Sequence, residues 1–255
     1  YANGVSFGST SVLLYNFVED TGVPISIRRN FPDMKQLEFI SGLQKAFNLV
    51  FIQDKYNPTH YYIEPFSDYV QGGTAKDWSN KLALDKDYVV KPTTDLQKRT
   101  YTFTHTESED YANELSRNIT GEVHGLQKIE DPSSDFAAGS MEIKSPFSPF
   151  LPSAIPDSDA TLLRLTKDGK ALANPRPMLA YYNGLEQRNI KTLNDLSSPA
   201  TFKFPLWSES SDWATDVADY SLNYGYPRPL RQIIANPLNG LYYAYWRKFA
   251  NELYS

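Results

Sequence analysis

The closing stretch of the chain, NPLNGLYYAYWRKFANELYS (residues 236–255), carries four tyrosines, a tryptophan and a phenylalanine. Asn236 suits a helix cap and Pro237 the first helical position, where a missing N–H costs nothing. Leu238, Leu241, Tyr245, Phe249 and Leu253 then recur at spacings of three or four, while Arg247, Lys248, Asn251 and Glu252 fall largely elsewhere on the wheel. The pattern predicts an amphipathic helix with one covered face. Tyr242 and Trp246 widen that face beyond the stripe a small domain needs for its own core. Tyr242, Tyr245, Trp246 and Phe249 are therefore candidates for contact with a partner or with further polypeptide. An ordinary core helix with tyrosine hydroxyls reaching outward explains the same pattern.

A chain of 255 residues has room for one large domain or two and for a sizeable core. Its 18 tyrosines and 17 prolines are high against 13 glycines, a mix that favours strands and extended segments docked by aromatic rings. A net charge of −5 removes the broad basic surface that nucleic-acid binding requires. The absence of cysteine excludes a disulfide framework, a thiol nucleophile and a thiolate metal site. No apolar run approaches the roughly 18 to 20 residues that cross a bilayer. The opening YANGVSFGSTSVLLYNF has neither an initiator Met nor a basic leader and does not read as a signal peptide. Together with the stop at Ser255 it reads as a piece of a longer polypeptide.

Pro32 and Asp33 fit a helix start, and Leu37, Ile40, Leu43 and Phe47 repeat on one face of a helix running to about Asn48. LVFIQ (49–53) and HYYIEPF (60–66), separated by a turn at Asn57-Pro58, predict a hairpin behind that helix. A short helical stretch after Gly72-Gly73 is expected to turn Trp78 and Leu82 to the core, with a β-rich run at 88–92 after it. RTYTFTH (99–105) alternates Tyr101, Phe103 and His105 with threonines, which is strand patterning. SEDYANELSRNI follows as a helix starting at Ser108, and GEVHGLQKI and SMEIKSPF as strands. Residues 145–159, with four prolines, read as an extended connector. Beyond it lie β-rich segments with a KDGK hairpin turn. The expected division is an unassigned segment 1–27, a domain 28–150, a Pro-rich connector 151–160 and a second β-rich domain 161–255. The class is α+β, β-rich, with mixed and antiparallel sheets. No internal repeat of about 20 to 50 residues is visible.

Chemical motifs are scarce. His60, His105 and His124 have no metal-binding helical spacing. FGSTS (7–11) lacks the second glycine of a nucleophile elbow and reads as a turn. Glycine-rich phosphate loops are absent. Glu107, Glu109 and Asp110 invite comparison with a glycosidase carboxylate pair, but acidic residues at a helix start are explained by the helix dipole. EDPSSD (130–135) reads as a solvated turn in preference to a cation site. Trp207 and Trp213 suit sugar stacking less well than packing. Asn118 heads an NIT glycosylation triplet with no sign of a secretory route. No catalytic residue, cofactor or metal is expected.

The ordered series FPDMKQLEFISGLQKAFNLVFIQD, YYIEPFSDY, DWSNKLALDKDYVVKP, YTFTHTESEDYANE, SPFSPF, PRPMLAYYNG and GLYYAYWRKFANELYS spans about residues 28–255. It resembles tail-hub or baseplate-hub-type virion proteins of tailed bacteriophages, crAss-like phages and their relatives. That resemblance implies a non-enzymatic module, made in the host cytoplasm and placed in the phage tail. It would assemble into a homo-oligomeric ring, contact other tail proteins and pass DNA only as cargo. It also implies a chain continuing past the LYYAYW helix. A carbohydrate-binding or carbohydrate-active protein is the alternative, and a scaffold of a larger secretion device shares the hub physics.

Overall fold

The structure is a computed structural model describing residues 5–7, 10–12, 33–81, 83, 85–87, 89, 97–130, 139–154, 161–163, 165–173, 175–192, 195–208, 220–225 and 240–254. For 5–7, 10–12, 153–154, 161–162, 186–192, 195–206 and 253–254 only the backbone is described. The class is α+β, with helices and small antiparallel and mixed sheets. Asn236, Pro237, Leu82, Trp213 and the 130–135 turn beyond Glu130 lie outside the described residues, as does most of 88–92.

A short hairpin, β1 (Val5–Phe7) with β2 (Thr10–Val12), flanks the FGSTS turn. Helix α1 (Gln36–Phe47) ends at Asn48, whose left-handed φ of 48° and N–H to Gln44 carbonyl form a C-cap. Asn tolerates that conformation better than most residues that carry a side chain. The chain then enters β3 (Leu49–Gln53), antiparallel to β4 (Tyr61–Pro65), the hairpin predicted from sequence. Helix α2 (Phe66–Gln71) continues directly from β4.

The central sheet has the order β6-β5-β7, from β5 (Thr100–His105), β6 (Gln127–Glu130) and β7 (Ser140–Ser145). β6 runs antiparallel to β5 and β7 parallel to it, with helix α3 (Tyr111–Thr120) in the crossover between them. A parallel neighbour requires such a crossover. Tyr101, Phe103 and His105 are buried on one face as the alternation predicts, and Thr104 is buried as well, so β5 is covered on both faces at its end. Short pairings follow: β8 (Ser153–Ala154) with β9 (Thr161–Leu162), and β10 (Thr166–Lys167) with β11 (Lys170–Ala171). The latter turns on Asp168 and Gly169, both with positive φ, as the KDGK sequence demands. A long hairpin joins β12 (Tyr181–Thr192) to β13 (Asp195–Ser208). The chain closes in a π-helical turn (Tyr242–Trp246) and helix α4 (Arg247–Tyr254).

One core draws on Leu43, Phe47, Tyr101, Phe103, Ile143 and Phe147 and, from far along the chain, on Leu222, Tyr224, Leu241 and Tyr242. Each such side chain contributes about 1.5–3 kcal/mol by leaving water.

Several expectations need correction. In α1 the buried face is Gly42, Leu43, Ala46 and Phe47, while Leu37 and Ile40 are exposed. The cause is a close approach: a Cβ on Gly42 would lie 2.6 Å from Pro146 and 2.8 Å from Phe147, so the small-residue face turns toward the chain after β7 and the first-turn apolar residues swing out. Trp78, expected inside, is 66% exposed just before a single 3-10 turn (Ser79–Lys81) too short to fold back on the core. Helix α3 starts at Asp110, not Ser108. The start of the proline-rich stretch is not an open connector: Ser145, Phe147, Ser148, Pro149 and Leu151 are buried, because proline and aromatic side chains there fill space between α1 and α3.

Candidate functional site

Two features concentrate what the described residues offer: a buried polar cluster at the end of β5, and the aromatic seam that docks the closing helix. The cluster is centred on His105. Its Nε2 lies 2.9 Å from the Leu222 carbonyl, which can only accept, so Nε2 carries the proton. Nδ1 is then the acceptor of the Ser145 hydroxyl at 3.0 Å. Ser145 Oγ also receives the Phe147 N–H at 3.3 Å. Burial pushes the imidazole down to about 4, a fall that the Leu222 bond partly opposes and His124 reinforces. His105 and Ser145 resemble a base and nucleophile in type and distance, but His105 is 3% and Ser145 0% exposed. A substrate carbonyl has no path to them, so the pair holds β5, β7 and residue 222 together.

Helix α3 borders the cluster. Asp110, fully buried, accepts the Asn113 N–H at 3.1 Å and the Asn113 amide at 2.8 Å, and that amide also donates to the Pro149 carbonyl. Ser116 lies 3.4 Å from His124 Nδ1. The inner face of α3 is therefore Ala112, Asn113 and Ser116, small and polar, while Tyr111, Leu115 and Ile119 stand exposed along the outer face. Asn118 is also on the exposed side. The acidic cluster is divided among three structural tasks: Asp110 caps α3, Glu107 pairs with Arg117 at 3.0 Å, and Glu109 with Lys167 at 3.0 Å. These carboxylates do not form a catalytic pair.

The aromatic seam begins at the C-terminus of α1. The Lys45 carbonyl, left open by the helix end, accepts both the Trp246 indole N–H at 3.0 Å and the Tyr224 hydroxyl at 3.1 Å. Asn48 donates its amide to the Tyr245 carbonyl at 3.0 Å. Tyr245 meets Phe47 edge-on at 5.4 Å, Phe249 meets Phe66 at 5.5 Å, and Phe103 contacts Tyr242 at 5.0 Å and Trp246 at 5.3 Å. Edge-to-face pairs of this kind add about 0.5–1.5 kcal/mol each beyond burial. All four aromatic residues singled out in the sequence thus come together: Tyr242, Tyr245 and Trp246 are laid on this chain's own core, and Phe249 meets Phe66 and Trp246. Tyr242 is 5% exposed, and Tyr245, Trp246 and Phe249 are half-buried.

The remaining sequence candidates are scattered. His60 is exposed in the β3–β4 turn beside Asn57, and His124 is buried near α3. Trp207 packs on Tyr182 at 5.2 Å in the long hairpin. Among the described residues no group of three or more His, Asp or Glu gathers to hold an ion. Nor does any helix there reach the length and apolarity needed to cross a membrane. Sequence reasoning missed Ser145, Leu222, Tyr224 and Asn48. Leu222 acts through its carbonyl and has no side-chain signal, whereas the aromatic pair in NYGYP was a faint hint for Tyr224. Comparison of the chain with protein-family models, with curated proteins and with solved structures gives no match.

Proposed function

We propose that this chain is a non-enzymatic structural module that associates through exposed apolar surface, of the tail-hub kind its sequence series resembles. In that reading copies of it form a ring in a phage tail and contact neighbouring tail proteins. The observation that carries the reading is the orientation of α3, which keeps Asn113 and Ser116 inside and presents Tyr111, Leu115 and Ile119 outside. A helix spends apolar side chains on water only at a cost, and outward stripes of this kind mark contact surfaces. The β3–β4 hairpin adds Tyr56, Tyr61 and Tyr62 to the exposed aromatic surface. In the closing helix Tyr242 is buried in the core while Tyr245, Trp246 and Phe249 are half-buried, so the reading puts association first on α3 and the hairpin. The sealed His105–Ser145 pair and the separately bonded Glu107, Glu109 and Asp110 favour a structural role over a hydrolytic one.

The test is sedimentation of the chain over a concentration series beside a Leu115→Glu/Ile119→Glu variant. Self-association in the parent that is lost in the variant, with unchanged circular dichroism, supports the reading. A strictly monomeric parent removes it. A glycan-binding reading retains one observation, the exposed Trp78 ring, and a glycan screen of the same material addresses it.

A further inference from the structure

Residues 222–225 lie between the sheet and the closing helix and are bonded to both. On the sheet side Leu222 accepts from His105, and Gly225 donates to the Gly125 carbonyl at 2.8 Å. On the helix side the Asn223 carbonyl accepts the Leu241 N–H at 2.9 Å, and the Tyr224 carbonyl accepts the Tyr242 N–H at 3.2 Å. The segment is a clasp, and His105 is the side chain that fastens it to β5. We propose that the clasp is acid-released: it holds the closing helix while His105 is neutral and lets go when His105 takes up a second proton. This stands whether or not the chain builds a ring.

The geometry supplies the mechanism. With Nε2–H committed to Leu222, the added proton must go on Nδ1, where it meets the Ser145 hydroxyl. Ser145 must then reverse from donor to acceptor, taking the imidazolium N–H on its second lone pair beside the Phe147 N–H and turning its own hydrogen to the Tyr224 hydroxyl, so the bonds can rearrange but the positive charge stays buried. Among the described residues the titratable groups that face the ring offer no negative charge. Tyr224, 5.0 Å away on the clasp itself, is a phenol that burial holds protonated, and His124, from the turn after α3, is a second imidazole whose charge opposes that of His105. From β7 the facing group is the neutral Ser145. An imidazolium here is buried and meets no carboxylate among the described residues, and the cheapest relief is to open the clasp and hydrate the ring.

The direction of the pH effect follows. The folded imidazole is lowered from 6.5 to about 4, so its contribution to closure is complete above pH 6.5 and is lost as pH falls toward 4. Linkage between those two values raises the opening equilibrium about 30-fold from pH 7.5 to pH 5.

Hydrogen exchange on the full chain, corrected for the intrinsic pH dependence, tests the proposal. Protection at the Leu241 and Tyr242 amides is expected to fall about 30-fold over that range, while the β3–β4 amides hold theirs. A His105→Gln variant, which keeps a donor but cannot charge, is expected to show a flat profile at the same two amides. Equal pH dependence in parent and variant, or simultaneous loss of protection throughout, would overturn it. If the variant does not fold, an NMR titration of the parent decides: His105 must charge in step with the loss of Leu241 protection, and charging with those amides still protected sinks the idea.

Discussion

Helices α3 and α4 are both amphipathic, and they face opposite ways. The seam of α4 and the π-helical turn lays Tyr242, Tyr245 and Trp246 on the core and Phe249 on Phe66, and leaves Arg247, Asn251 and Glu252 exposed. α3 puts Asn113 and Ser116 inside and Leu115 and Ile119 outside. The difference lies in what each meets. The closing helix lands on apolar rings from α1 and β5, whereas α3 lands beside Asp110, His124 and the Pro149 carbonyl, whose polar atoms need hydrogen bonds more than the site needs hydrocarbon. Periodicity thus reveals that a helix has two faces. It does not say which one is covered.

The largest effect should come from removing the ring that both Tyr242 and Trp246 contact. Phe103→Ala is expected to destabilise the fold by about 3–5 kcal/mol in urea unfolding, since it leaves a cavity under the seam. A loss below about 1 kcal/mol would mean that the closing helix contributes little to the core and that the contrast with α3 is weaker than drawn. Gly240→Ala comes next. An added Cβ would lie 2.7 Å from the Tyr224 carbonyl, which cannot move without breaking the clasp, so a cost of about 1–3 kcal/mol is expected in the same assay. Asp110→Ala removes the cap of α3 and one partner of buried Asn113, for about 1–2 kcal/mol measured by thermal unfolding. Smallest of all, Leu115→Glu on the outer face should change stability by less than about 0.5 kcal/mol. If it unfolds the protein instead, the outer face of α3 is a covered surface and the comparison fails.

Much of the fold was legible where the signal is local. The β3–β4 hairpin, the Asp168-Gly169 turn and the strand at 100–105 follow from propensity and turn chemistry over a few residues. The polar cluster was not legible, because His105 finds Ser145 40 residues away and Leu222 117 residues away, and one of those partners is a backbone carbonyl. The start of the proline-rich stretch misled for a related reason. Proline reports the local backbone, and nothing local announces that α1 carries Gly42 at the one place where Pro146 and Phe147 can press against it.

The π-helical turn at Tyr242–Trp246 has a bearing on how this seam tolerates changes in length. Such a turn holds one residue more than an α-helical turn, so it acts as an absorbed insertion. Deleting a single residue within it would restore ordinary winding and leave the downstream faces near their present positions, whereas a deletion at Arg247 or Lys248, in the regular helix, would rotate everything beyond by about 100°. After the second kind of deletion Phe249 would leave Phe66, and Ala250 would take its position. The seam can therefore shed one residue of backbone inside the π-helical turn, whereas from Arg247 to Phe249 it depends on the count of residues as strictly as on their identity.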